Sequence, residues 1–153
     1  MQKRTQEKVV AKSNKETEAF ASLVAGRVRA EKRPHAAVVA LVGNLGTGKT
    51  AFAKAFLREL GVKGRVTSPT FVVIRRFPLP ARTGFTNAYH MDAYRVSEDD
   101  AVSLELPAVL KDPANVLVIE WADRIRPIVP ADAIWVECSY GERENERVFA
   151  IDR

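Results

Sequence analysis

Between Ala36 and Gly61 the chain changes its hydrophobic rhythm twice. Residues 36–42 read AAVVALV, apolar at every position, and GNLGTGKT follows as residues 43–50. The next stretch, AFAKAFLREL, places Phe52, Phe56, Leu57 and Leu60 at helical spacing and stops at Gly61, a residue suited to cap a helix. A strand with no polar face must be covered on both sides, which is the position of a central strand in a parallel sheet with helices above and below. A glycine-rich turn running from such a strand directly into an amphipathic helix restricts the chain to an α/β architecture.

Residues 43–50 have the spacing GxxxxGK[ST], with Gly43, Gly48, Lys49 and Thr50 at the fixed positions. Glycine lets the backbone turn back and aim successive N–H groups at phosphate oxygens, while the helix that follows presents its positive end to the same anion. Lys49 adds a mobile charge for the outer phosphates, and Thr50 supplies a hydroxyl for Mg²⁺. The expected nucleotide-binding segment therefore comprises Gly43, Asn44, Leu45, Gly46, Thr47, Gly48, Lys49, Thr50 and the adjoining Ala51. The competing reading is a plain strand-to-helix turn. It gives no reason for the lysine and the hydroxyl to stand where the helix begins.

The remaining chain reads as one further layer of the same domain. Ser13 and Glu16 have the spacing of a capping box, and Phe20, Leu23, Val24 and Val28 fall on one face of the helix they open. TFVVIRRF at 70–77 is rich in β-branched residues, and NAYHMDAY at 87–94 returns as its hairpin partner across PLPARTG. SEDDAVSLEL suggests a short helix capped by Ser97. VLVI at 116–119 is a second run with no polar face, and AIWVECSY, GEREN and ERVFAID close the chain as an antiparallel hairpin. The expectation is a single P-loop NTPase-like domain over 13–153, with a mixed central sheet flanked by helices and carrying antiparallel hairpins.

At 153 residues with a net charge of +5, the chain needs no staples to bury a core, and its basicity is local. The first 33 residues hold nine Lys or Arg and four Glu, and the rest holds fifteen of each sign. The excess charge therefore belongs to a basic, flexible arm over 1–12 and the first helix, read either as a solvated tail or as a contact for RNA or an acidic partner. One cysteine, Cys138, leaves no internal disulfide, and its alternation with Ile134, Val136 and Tyr140 marks a buried thiol. No stretch reaches the length of a membrane span and the amino terminus has no signal-like apolar core, so a cytoplasmic location is expected.

Two carboxylates are candidates for the chemistry. Glu120 ends the apolar run 116–119, at the carboxyl end of a strand where open α/β sheets form their ligand crevice; it is either a strand end in solvent or a metal-side carboxylate. In YHMDAYR, period two puts His90, Asp92 and Tyr94 on one face and Met91 and Ala93 on the other. Asp92 would then orient a water, accept a proton or hold Mg²⁺ through water, or else pair incidentally with Arg95 on a solvated face. Thr67, Ser68 and Thr70 surround Pro69 in a loop able to sense a γ-phosphate, or in a plain turn. Trp121 either packs under the crevice or fills core, with core filling the preferred reading, and His35 has no evident partner.

GNLGTGKT, TSPTF, HMDAYR and VIEWAD, in this order and over nearly the full length, resemble the TsaE family, also called YjeE. These are small bacterial P-loop ATPases required to make threonylcarbamoyladenosine in tRNAs that read codons beginning with A. The family usually has GDLGAGKT where this chain has Asn44 and Thr47, and a bulky apolar residue where Ala93 stands; neither change removes a phosphate or metal ligand. The resemblance implies ATP and Mg²⁺ as cofactors, with phosphates cradled by 43–50, Mg²⁺ held by Thr50 and Glu120, and Lys49, Asp92 and Glu120 as the catalytic set. It makes 67–70, with Ser68 and Thr70, the nucleotide-sensing loop. It also implies a heterodimer of TsaD-like and TsaB-like proteins as partner, tRNA through that complex, and no membrane.

The function expected from the sequence is thus a weak Mg²⁺-dependent ATPase in the complex that modifies A37 of tRNA, hydrolysing ATP to ADP and phosphate to drive or reset it. The arginine that completes such a site comes from a partner or from Arg75, Arg76 or Arg95. The absence of NKxD favours ATP over GTP. A small-molecule kinase, or a nucleotide-controlled binding module with little turnover, are the alternative readings. PLPARTG, with one arginine, makes a poor kinase lid.

Overall fold

A computed structural model of the chain describes residues 6–64, 66 and 73–152. One seven-stranded sheet runs through it in the order β1-β7-β6-β2-β5-β4-β3. The strands are β1 (Gln6–Ala11), β2 (Ala37–Val42), β3 (Ile74–Pro78), β4 (Asn87–Asp92), β5 (Asn115–Glu120), β6 (Ile134–Tyr140) and β7 (Arg147–Asp152). Four of them, β6, β2, β5 and β4, are mutually parallel and form the middle of the sheet. Antiparallel pairs extend it at both sides, β3 on β4 and then β7 on β6 with β1 beyond.

The unbroken apolar run of β2 follows from this position. Ala37, Val39 and Leu41 face one core with α1 (Asn14–Ala30) and α2 (Lys49–Leu60), where Phe20, Phe52, Phe56 and Phe149 pack their rings. Val38 and Ala40 face the other, under α3 (Glu98–Ser103), α4 (Leu106–Lys111) and the 3₁₀ segment Ala122–Ile128. Each alternate residue thus meets a different layer, so a polar side chain at any of these positions would lose water without gaining a partner.

The caps are those the sequence marks. The Ser13 hydroxyl accepts from the Glu16 amide at 3.2 Å, and the Glu16 carboxylate accepts from the amide of Lys12. Ser97 and Asp100 form a complete capping box at α3, and the hydrogen bonds from Ser97 hold the Asp100 carboxyl below its usual value. Gly61 ends α2 in the left-handed region.

Two expectations change. Residues 6–11 are not an arm but an edge strand: β1 pairs with β7 along its whole length, Gln6 opposite Asp152 and Ala11 opposite Arg147. Only Ala11 in it is buried, and that sparse apolar signal is why it reads as a tail. Residues 1–5 lie outside the described residues, as does most of the amino-terminal half of the strand expected at 70–77. Cys138 is buried as expected, and burial pushes its thiol up to about 12, so it stays neutral. His35 does have a partner, with Nε2 3.1 Å from the Asp132 carboxylate. Among the described residues no helix is long and apolar enough to cross a membrane.

Candidate functional site

The loop between β2 and α2 is pinned from two sides. On the inside, Lys49 turns back so that its ammonium donates to the carbonyls of Gly43 and Asn44, both at 2.7 Å, and Thr47 donates to Asn44 O at 2.7 Å. On the outside, the β6–β7 hairpin holds the loop by its carbonyls. The Tyr140 hydroxyl donates to Leu45 O, and Arg147 Nε donates to Gly46 O at 3.1 Å. In a trans peptide the N–H points opposite to the C=O, so these anchors turn the amides of Gly46 and Thr47 away from the hairpin. A loop that offers amides to an anion needs its carbonyls committed elsewhere, and here they are.

Gly43 shows why glycine is required at the start. Its φ is 144°, and a Cβ there would sit 2.2 Å from the carbonyl oxygen of Cys138 on β6, backbone against backbone. At Gly46, with φ of 77°, a Cβ would meet the hydroxyl of Tyr140 at 2.9 Å, the group that anchors the loop. Leu45 carries no such constraint and is 81% exposed.

Lys49 is only 4% exposed and lies over the Trp121 ring, 4.1 Å from its centroid. Burial pulls its pKa down from the ordinary 10.5, and the carboxylates of Glu120, Asp123 and Asp92 work in the opposite direction. Trp121 reaches this position because its own backbone is left-handed, φ 57°, immediately after β5 ends. A bulky residue rarely adopts that conformation, and the strain sits beside the candidate site. Trp121 therefore does more than fill core: it floors the lysine, packs on Tyr94 at 4.8 Å between centroids, and Arg124 lies over both rings.

Thr50, in the first turn of α2, donates its hydroxyl to Glu120 Oε1 at 2.6 Å. Glu120 is 3% exposed, so of its two readings, solvent end or interior carboxylate, the interior one describes its place. Its second oxygen, Oε2, is 2.6 Å from Nε2 of His90, which is fully buried. Asp92 stands directly opposite Glu120 in the β4–β5 register and shares its face. Its carboxylate accepts from the Tyr94 amide at 3.0 Å.

The expected polar face of His90, Asp92 and Tyr94 is only partly correct. β4 stops at Asp92, so Tyr94 leaves the face and packs its ring, tilted, against Trp121. His90 is not solvated, because α2 covers that side of the sheet. Of the three candidate arginines, Arg75 stands opposite His90 in the β3–β4 register, whereas Arg76 and Arg95 are exposed. Thr67, Ser68 and Thr70 lie outside the described residues.

Two hollows flank the loop. One of about 350 Å³ opens between Lys12, Ser13 and Asn14 at the start of α1 and Gly48, Asn145 and Arg147. The other, about 360 Å³, runs from Thr50 and Ala51 past Lys54 to Arg58. Both are within the size range of ligand pockets. Sequence reading missed the contributions of His90, Tyr140, Arg124 and Arg147, because they act through a strand neighbour, a distant hairpin or, for Arg124, the rings of Tyr94 and Trp121.

Among the described residues no three His, Cys, Asp or Glu side chains cluster as a ready ligand set. The oxygen donors Thr50 and Glu120, with Asp92 one strand away, suit a hard cation that takes few protein ligands and completes its shell with water and phosphate. Mg²⁺ is such an ion.

Comparison with known proteins bears on the same stretch. The family model described as Threonylcarbamoyl adenosine biosynthesis protein TsaE matches residues 11–149. A protein of Bacillus subtilis strain 168 named tRNA threonylcarbamoyladenosine biosynthesis protein TsaE is 35% identical over 135 residues, covering 88% of this chain and 78% of its own length. The protein of that name from Streptomyces coelicolor is 41% identical over 88 residues, 56% of this chain and 57% of its own. The crystal structure of YdiB from Bacillus subtilis superposes with a TM-score of 0.72 at 27% identity, covering 99% of this chain and 87% of that one.

Proposed function

The chain belongs to the TsaE family, and from that premise we propose that it is a Mg²⁺-dependent ATPase of tRNA threonylcarbamoyladenosine biosynthesis, slow alone and stimulated by its partners. The observation that carries the reading is the 2.6 Å bond between Thr50 in the loop helix and Glu120 at the end of β5. It joins the hydroxyl expected on the metal to the carboxylate expected on the metal, from segments far apart in sequence.

In this proposal the amides of the 43–50 loop hold the phosphates of ATP, and Lys49 exchanges its bonds to Gly43 and Asn44 for bonds to phosphate oxygen. The exchange is favourable because a buried ammonium gains more from an anion than from two neutral carbonyls. Mg²⁺, held by Thr50 and Glu120, would neutralise charge on the outer phosphates. Asp92 orients the attacking water, and Ser68 and Thr70 sense the γ-phosphate. The hollow beside Ser13, Asn14 and Arg147 takes the nucleoside end, since it adjoins Gly48 and Ala51. Hydrolysis gives ADP and phosphate and resets a complex with TsaD-like and TsaB-like proteins on tRNA in the cytoplasm, at A37.

The test is phosphate release from Mg²⁺-ATP by the purified chain, with and without the TsaD–TsaB heterodimer. The expected result is a slow basal rate raised by the partners, with Thr50→Ala and Glu120→Ala each reducing turnover by about a hundredfold or more. Turnover near wild type in both variants would remove the two residues from the reaction. Transfer of phosphate to a metabolite in place of water would make the protein a kinase.

A further inference from the structure

We propose that His90 is a positioning residue for the metal-side carboxylate: it clamps Glu120 so that the oxygen facing Thr50 is presented to the ion. The inference rests on the Mg²⁺-ATPase reading and adds to it a residue outside the loop and outside the two carboxylates. His90 is fully buried and Glu120 is 3% exposed, so the pair is held in the protein interior. The register places His90 opposite Val118 and Asp92 opposite Glu120, so His90 reaches Glu120 along the diagonal of one sheet face.

The two carboxylate oxygens are divided. Oε1 takes the Thr50 hydroxyl and Oε2 takes His90 Nε2, each at 2.6 Å. A glutamate has three side-chain torsions, and one bond to Thr50 leaves the carboxylate free to pivot about it. Two bonds on opposite oxygens remove that freedom. The ion then meets a carboxylate already oriented, which is how outer partners raise metal affinity.

The other ring nitrogen shows that the histidine is not there for the core. Among the described residues His90 Nδ1 is buried without a hydrogen-bond partner. A buried polar atom left unpaired costs stability, and an apolar side chain of the same volume would avoid the cost. The bond to Glu120 is the one hydrogen bond that the His90 side chain makes among the described residues, and it offsets that cost.

The experiment compares His90→Gln with His90→Asn, reading ADP affinity by calorimetry with chelator and across a Mg²⁺ titration. Both variants are neutral amides, but only glutamine carries its NH₂ at the reach of Nε2. The expected result is that metal-free ADP affinity is unchanged in both. The Mg²⁺ midpoint stays within a few-fold of wild type in His90→Gln, and rises about tenfold or more in His90→Asn. In a Glu120→Gln background, His90→Asn should add nothing further. A Mg²⁺ midpoint in His90→Asn equal to wild type, or a further shift in the Glu120→Gln background, would overturn the assignment. If wild-type ADP or ATP binding shows no response to Mg²⁺, the ATPase reading itself falls and takes this assignment with it.

Discussion

Gly43 and Lys49 carry opposite kinds of demand on single residues. Gly43 is required by what lies next to it: the Cys138 carbonyl leaves no room for a Cβ, and φ of 144° is closed to other residues. Gly43→Ala must move β6 or the loop, at a cost of about 2–4 kcal/mol in stability. Denaturant unfolding measures it, and a change below about 0.5 kcal/mol would show that the contact relaxes freely. Lys49 is required by what it reaches. Its charge is buried among carbonyls and the face of Trp121, and burial depresses its pKa. The motif made Gly43, Lys49 and Thr50 legible in the sequence, because each obeys a local rule of phosphate binding. His90 was not legible. Its role depends on a diagonal across two strands that pair only after folding.

At the scale of elements, the β6–β7 hairpin acts as an external brace for the loop. Tyr140 and Arg147 hold two loop carbonyls, and Arg147 also lies over the Tyr140 ring at 5.2 Å. Tyr140→Phe keeps the ring and removes the bond to Leu45 O. Nucleotide affinity is then expected to fall about three- to tenfold, the worth of one hydrogen bond of roughly 1 kcal/mol. Melting temperature should stay within a few degrees, since Tyr140 is 55% exposed and gives no packing to the core. Equal ADP affinity in the variant would show that the loop orients its amides without the brace. The hairpin as an element was legible from its alternation and from GEREN, but its grip on a loop almost a hundred residues away in sequence was not.

The whole molecule is a parallel core of four strands widened by antiparallel strands at both sides, and the amino-terminal strand matters most where the sequence said least. β1 covers the free edge of β7, the strand that carries Arg147 and Phe149 into the site and the core. Deleting residues 2–11 should expose that edge, lower stability by at least about 2 kcal/mol and promote self-association. Thermal melting and light scattering measure both effects, and an unchanged melting temperature with unchanged scattering would return this segment to the role of a tail. Removing it also takes away basic charge, so any loss of tRNA binding in the assembled complex should be read against the melting data. The sequence by itself determined the central strand, the glycine-rich loop that follows it, the helix caps and the α/β class. Each of these is written in neighbours three or four residues apart, or in an unbroken apolar run along one strand. Only the tertiary structure decided that Glu120 faces Thr50 and His90, that Trp121 lies beneath Lys49, and that a hairpin holds the loop from outside. Those contacts are set by strand register and sheet order, which local periodicity does not encode.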